Sequence, residues 1–401
     1  MAEKKTNKKT TSKRRVQKVS LGEKRLSKKQ ELILPKITVV GIGGSGNNAI
    51  NYMIRKDVKN VKFIAINTDL QDLNQTKASK KIKIGESLTN GSGAGMNPEI
   101  GKKSALESAD DIADALKDTQ MVFLACGMGG GTGTGATPII AQIAKDLGIL
   151  TIAVVTKPFS FEGKVRTDLA KEGIENLSTN VDSYIVIEND KILETSGEDA
   201  SLEEAFALSD EVLKQAVEGI SDLITKPGII NIDYADIKSV LEESKLSLIG
   251  IGSARGEDRA KQSASAAINS PLIETSTKGA KSILFSIASG GDLKMSEVHE
   301  IANFITEEAS EEAIIKSGTV KNPKLKKGEL KVTVIASNFD NMEEDFYPQD
   351  VKSFGLPIAS DKKEEVEEEK KDEENTEDND VTLGAWVKSL FNRKKDKKEE
   401  E

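Results

Sequence analysis

A single cysteine, Cys126, and a single histidine, His299, are all that the 401 residues contain of either type. One cysteine cannot close an intramolecular disulfide, and one histidine cannot supply a His-rich metal cage or several His-based catalytic groups. Disulfide-stapled secreted scaffolds and zinc hydrolases are thereby excluded. Aromatic residues make up only 4% of the chain. No apolar run reaches the roughly 18 residues that a membrane span requires, and the basic N-terminus is not followed by the apolar core of a secretory signal. A cytosolic protein in a reducing compartment is expected.

Charge is plentiful but unevenly placed. Residues 1–31 carry twelve Lys/Arg against three Asp/Glu, and residues 361–380 carry twelve acids against four Lys, so the net charge of −9 averages two tails of opposite sign. The basic segment 1–31 has no periodic apolar face and is expected to be disordered. It reads first as a solvated tail, with weak binding of anionic lipid, nucleic acid or the acidic tail as the alternative. No specific nucleic-acid interaction is expected.

Between the tails the pattern alternates. Ile37–Val40, Phe63–Ile66, Met121–Ala125, Leu150–Val155 and Tyr184–Ile187 read as short buried strands, with helical stretches such as Ala49–Ile54 and Pro138–Leu147 between them. Such alternation predicts a parallel sheet with helices on both faces and a ligand site at the carboxyl ends of the strands. A long helix is predicted over Leu202–Thr225, ended by Pro227–Gly228. A second alternating region follows, with strand-like Ser247–Ile251, Ser282–Ile287 and Lys331–Ile335.

Two glycine-rich loops carry the chemistry. Gly41-x-Gly43-x-x-Gly46 matches a dinucleotide fingerprint, and Asp69 follows at the end of the next strand, where a ribose-binding acid belongs. The second loop, Gly129-Gly130-Gly131-Thr132-Gly133-Thr134-Gly135, offers unobstructed backbone N–H groups and two hydroxyls at a helix start, a setting that binds anionic oxygens. No Gly-x-x-x-x-Gly-Lys-Ser/Thr occurs, so a lysine-based phosphate loop is absent.

These two loops, the Asn67-Thr68-Asp69 turn, Gly93-Ala-Gly95-Met-Asn97-Pro98 and Thr156-Lys157-Pro158-Phe159-x-Phe161-Glu162-Gly163 together resemble the tubulin/FtsZ family of GTPases, in the family's order from about Lys36 to Ile335. The resemblance implies an α/β protein. Its parts would be a basic tail (1–31), a Rossmann-like parallel-sheet GTP-binding domain (32–201), a long central helix (202–226), a smaller C-terminal mixed α/β domain (227–338), an acidic linker (339–380) and a partner-binding peptide with a charged end (381–401). It further implies binding of GTP or GDP, with Mg²⁺ carried by the nucleotide, since the sequence shows no side-chain cage for a metal. Gly43, Gly44, Ser45, Gly46, Asn47 and Asn48, with Gly129, Gly130, Gly131, Thr132, Gly133 and Thr134, would wrap the phosphates. Gly95, Met96 and Asn97 would lie beside the γ-phosphate, and Glu162 and Arg166 at ribose and phosphate. Asn189 would be a further nucleotide contact. Phe206 and Asp210 would stack on guanine and accept from its N–H edge, because a carboxylate only accepts and guanine offers two donors.

The resemblance places the hydrolytic machinery elsewhere. Asn231, Asp233 and Asp236 would be lent by a neighbouring subunit in a head-to-tail filament, positioning a water for attack on the γ-phosphate and so building a mid-cell division ring. Read without the resemblance, Asp233 and Asp236 are ordinary acids at a helix start. Two alternatives are an NAD-dependent oxidoreductase, resting on the first loop and Asp69, and a nucleotide-binding filament protein with little hydrolysis.

Some positions depart from the family pattern. Ser45 replaces a glycine, Glu243–Ile249 differs from a more Gly/Ala/Met-rich segment, and Lys316–Lys327 is unusually basic. Near the C-terminus, Val381–Asn392 lacks the family's proline while keeping Leu383, Trp386, Val387, Leu390 and Phe391. It reads as a short helix docking on a membrane tether such as FtsA, or as a direct membrane contact aided by Lys388 and Arg393–Lys398.

Overall fold

A computed structural model of the chain describes residues 34–196, 201–226, 228–270, 279–307, 309–310 and 312–339. The expectations for both tails, Pro227 and the 381–392 peptide lie outside the described residues.

The elements follow in chain order as β1 (Ile37–Ile42), α1 (Gly43–Arg55), β2 (Val61–Asn67), α2 (Leu70–Gln75), β3 (Lys80–Lys83), α3 (Glu86–Thr89), α4 (Pro98–Glu107), α5 (Ala109–Leu116), β4 (Met121–Gly127), α6 (Thr132–Asp146) and β5 (Leu150–Lys157). A 3₁₀ turn (Ser160–Glu162) leads to α7 (Lys164–Ser178), β6 (Ser183–Glu188), α8 (Asn189–Ser196) and α9 (Leu202–Thr225). The remainder is α10 (Tyr234–Leu241), β7 (Lys245–Arg255), α11 (Arg259–Ile268), β8 (Ala280–Ser289), α12 (Met295–Thr306), β9 (Ile314–Lys321) and β10 (Glu329–Phe339).

Strands β3-β2-β1-β4-β5-β6 run parallel, and β7-β10-β8-β9 continue the row with β10 antiparallel to both neighbours. The two halves meet through only two paired positions, Ser183 with Lys245 and Tyr184 with Leu246. The period-2 alternation of strand side chains sorts the core. In β4, Met121 and Phe123 enter one apolar cluster while Val122, Leu124 and Cys126 enter the cluster on the opposite face. In β10, Ile335 faces the first cluster and Leu330, Val332, Val334 and Ala336 a third, beneath α11 and α12.

Helix α9 belongs to the first cluster along much of its length. Val212, Leu213, Ala216, Val217, Ile220 and Leu223 pack there with β1, β4 and β5 residues, and also with Ile249 of β7 and Leu284 of β8. Its start is set by a capping box in which Ser201 Oγ accepts from Glu204 N at 3.2 Å and the Glu204 carboxylate accepts from Ser201 N at 2.8 Å. This helix therefore joins the two halves that the narrow β6–β7 pairing barely connects.

Three elements differ from the sequence expectation. Helix α1 begins at Gly43 rather than Ala49, so the first glycine loop is itself the first helical turn. Short polar β3 lacked an apolar signal, and half of the basic Lys316–Lys327 segment is edge strand β9. The glycine spacing of the first loop has a packing reason. A Cβ at Gly46 would lie 2.3 Å from the Ala125 carbonyl oxygen, and one at Gly41 would lie 2.3 Å from the Gly46 carbonyl oxygen.

Because those obstacles are backbone atoms, Gly46→Ala must push α1 off the ends of β1 and β4. A loss of about 2 kcal/mol or more is expected, read as a lower midpoint in urea unfolding; an unchanged midpoint would show that the close approach is not obligatory.

Candidate functional site

The strand order β3-β2-β1-β4-β5 changes the side on which strands are added after β3, so the switch falls between β1 and β4, and at such a switch point a crevice opens beyond the carboxyl ends of the strands. A cavity of about 440 Å³ occupies it, within the range of small-ligand sites. Its floor is the start of α1, with Gly43, Gly44 and Ser45, the loop after β4, with Gly130 and Gly131, and the first turn of α6, with Thr132 and Gly133. Gly130 has nothing within 4 Å of where a Cβ would stand, so its backbone is open to a ligand. Thr132 Oγ1 is fixed by Thr68 Oγ1 at 2.6 Å.

Other expected residues are close by without facing the cavity. Gly46 is committed to the strand contact described above. Asn47 is buried and donates to Asp72 Oδ2 at 3.3 Å, and its own Oδ1 is buried without a partner. Asn48 is exposed on α1. Gly129 N donates to Thr134 Oγ1 at 2.9 Å, so these two close the second loop on itself. Asn97 caps α4 by accepting from Glu99 N at 3.0 Å, while Gly95 and Met96 line the cavity in left-handed conformation, with φ of 58° and 60°.

The far wall comes from β5 onward. Glu162 ends the 3₁₀ turn and Arg166 lies in α7 beyond Gly163, and the two form an ion pair. Asn189 is buried and accepts from Ser209 Oγ of α9 at 2.9 Å. Phe206 presents a half-exposed ring, held edge-on by the buried Phe159 ring at 5.2 Å between centroids. Asp210, one turn further, also lines the cavity. Burial pushes its carboxyl up to about 7, with Arg55 of α1 pulling weakly the other way.

Sequence reasoning missed Asp72, Thr156 and Ser209, all on the cavity wall. Asp72 takes hydrogen bonds from both Asn47 and Asn67, the latter at 2.6 Å, and burial together with Asp69 raises its pKa. No spacing rule marks it, because its place depends on β2 and α1 meeting. Asp69, expected to suit a ribose, caps α2 instead, its Oδ1 accepting from Gln71 N and Asp72 N. Among the described residues, no group of three His, Cys, Asp or Glu could hold a metal ion by itself.

Asn231, Asp233 and Asp236 do not line the cavity. They follow the far end of α9, and the fifteen helical steps from Asp210 to Thr225 span about 22 Å. Asp233 and Asp236 form a reciprocal capping box on α10, with Asp236 N donating to Asp233 Oδ1 at 2.7 Å. Asn231 Oδ1 accepts from Gly228 N at 2.8 Å.

Residues 36–197 match the Tubulin/FtsZ family, GTPase domain, and residues 246–340 match the FtsZ family, C-terminal domain. The chain is 49% identical over 302 residues to the cell division protein FtsZ of Wigglesworthia glossinidia brevipalpis, covering 75% of this chain and 78% of that one. Among solved structures it superposes on an empty FtsZ dimer from M. jannaschii with a TM-score of 0.71 at 44% identity, over 76% of this chain and 88% of that chain. CetZ2 from Haloferax volcanii, solved as a GTPγS-bound protofilament, shares the fold at a TM-score of 0.66 and 19% identity, over 78% and 96% of the respective chains.

The Asp210 environment makes stability depend on pH. The folded state keeps this proton to about pH 7 whereas the unfolded chain releases it near 3.8, so folding is penalised increasingly between those values and fully above pH 7. Asp210→Asn removes that penalty. Its melting temperature should exceed the parent's at pH 8, by the equivalent of roughly 2–4 kcal/mol, with the gap closing below pH 4; a gap independent of pH would contradict the assignment.

Proposed function

The chain belongs to the tubulin/FtsZ family of GTPases, and from that premise we propose that it polymerises head-to-tail into division-ring filaments in the cytoplasm, each subunit completing the hydrolytic site of the next. Guanine-nucleotide binding and GTPase activity follow from the family. The partition of labour between subunits rests on one observation: the cavity and the Asn231–Asp236 loop stand at opposite ends of α9.

In this reading the diphosphate lies on the first turn of α1 and the loop after β4, where amides and the helix dipole meet its charge. The γ-phosphate extends toward Gly95 and Met96. Glu162 and Arg166 meet the ribose and phosphate, Asn189 adds a polar contact, and guanine stacks on Phe206 with its N–H edge toward ionised Asp210. Mg²⁺ carried with the nucleotide would supply positive charge against the phosphates, and Asp69 and Asp72, the second of which feels the charge of the first, line the wall and would be the side chains near it.

The carboxylates that line the cavity each have another engagement. Asp69 caps α2, Asp72 takes two asparagine amides, Glu162 pairs with Arg166, and Asp210 stands beside the base-stacking ring. A neighbour's Asp233 and Asp236, with Asn231, are therefore assigned to hold the attacking water. Positioning dominates phosphoryl transfer, so weakly basic carboxylates suffice. Apolar side chains exposed at both ends suit the contact: Phe161, Val165 and Leu202 near the cavity, and Ile229 and Ile230 in the acid loop. A heterologous contact that does not close on itself builds a filament.

Asp236→Ala tests the division of labour. It should bind GTP as the parent does, lose most turnover, and inhibit the parent when mixed with it; undiminished hydrolysis by the pure variant would sink the shared site. Docking of residues 381–392 on a tether such as FtsA, with direct membrane contact as the rival, completes the proposal. The full chain should fail to sediment with anionic vesicles unless the tether is present, and salt-sensitive co-sedimentation without it would favour the membrane.

A further inference from the structure

The acid loop is braced from behind by edge strand β9. Ile229 N and Ile230 N both donate to Thr319 Oγ1, at 3.1 and 2.9 Å, and Thr319 N returns a bond to Ile230 O at 2.9 Å. Three residues before Thr319 on the same strand, Lys316 places its Nζ 2.8 Å from Asp236 Oδ1. Asp236 Oδ2 accepts from Asp233 N at 3.4 Å. Both carboxylate oxygens are thus tied inside the subunit, each by one donor, which leaves each oxygen an unused acceptor site.

We propose that Lys316 is a positioning residue for hydrolysis: its ammonium pins Asp236 Oδ1 against β9, so that the carboxylate reaches the next subunit's nucleotide already oriented. The inference rests on the reading that Asp236 serves the neighbouring site. Stability does not account for the pair, because partly exposed ion pairs contribute about 0–1 kcal/mol, and the Lys316 and Asp236 side chains are 39% and 30% exposed. Orientation is where such a contact tells, since a displacement of about 1 Å can cost a large factor in rate. Lys316 also holds the Asp236 carboxyl below the ordinary range, with the Asp233 N–H helping, so the acceptor stays ionised.

The buried Cys126 makes a charge-specific test available. Its thiol is inaccessible and pushed up to about 12 by burial, so an alkylating reagent will modify only an introduced cysteine. In the full chain, Lys316→Cys should lower kcat at saturating GTP about tenfold while leaving KM, the assembly threshold and the melting temperature near parent values. Aminoethylation with 2-bromoethylamine, which rebuilds an ammonium at similar reach, should restore kcat to within twofold, and so should Lys316→Arg. Carbamidomethylation with iodoacetamide should not. Added to Asp236→Ala, Lys316→Cys should have no further effect.

A kcat within twofold of the parent for Lys316→Cys, equal restoration by both adducts, or an additive loss on top of Asp236→Ala would each overturn the role of Lys316. Retained turnover in Asp236→Ala alone would instead overturn the shared-site reading, and the inference with it.

Discussion

The packing of α9 against both halves of the sheet is the constraint on which the rest of the molecule depends. Its apolar stripe fills the cluster shared by β1, β4 and β5 on one side and by β7 and β8 on the other, while the strands themselves join at only two positions. A helix so held acts as a rigid spacer. It carries Phe206, Ser209 and Asp210 into the cavity at one end and delivers the chain to Asn231, Asp233 and Asp236 at the other. Acids at that remove cannot fold back on the cavity without unpacking the core, so the proposed chemistry calls for a second subunit.

The two ends are built on different physical terms. The cavity relies on backbone: glycines line it and permit close approach, and polar side chains such as Asn47, Thr68 and Thr134 act as fixtures that hold the loops. The acid end relies on side-chain charge held by few contacts, namely a capping box, two bonds from Thr319 and the Lys316 ion pair. Those contacts, few as they are, set the direction of the acids before a neighbour arrives, while close backbone approach sets the cavity floor. Asp210, on α9 beside the cavity, is governed by burial, which favours its protonated form.

Much of this was legible in the chain. The strands β1, β2, β4, β5 and β6 showed as short apolar runs, α9 showed from end to end, and the two glycine loops announced the strand ends that would carry the site. What stayed hidden has specific causes. Strand β3 is Lys-Lys-Ile-Lys and β9 starts with exposed isoleucines beside a lysine, so neither has an apolar face to detect. The start of α1 was placed late because Gly-Gly-Ser-Gly is a poor helix former, overridden here by contact with β4. Gly46, Asn97, Gly129 and Thr134, grouped with the loops by their motifs, support the loops from within.

Local sequence determined which segments are strands, where glycine is needed and which acids begin α10, because those properties depend on neighbours a few residues apart. Tertiary structure alone decided that Asp72 of α2 meets Asn47 of α1, that Asn189 meets Ser209, and that Lys316 meets Asp236 across 80 residues of chain. Each of those meetings joins elements whose separation in sequence carries no spacing signal, so only the packing of the sheet and α9 brings them within hydrogen-bond reach.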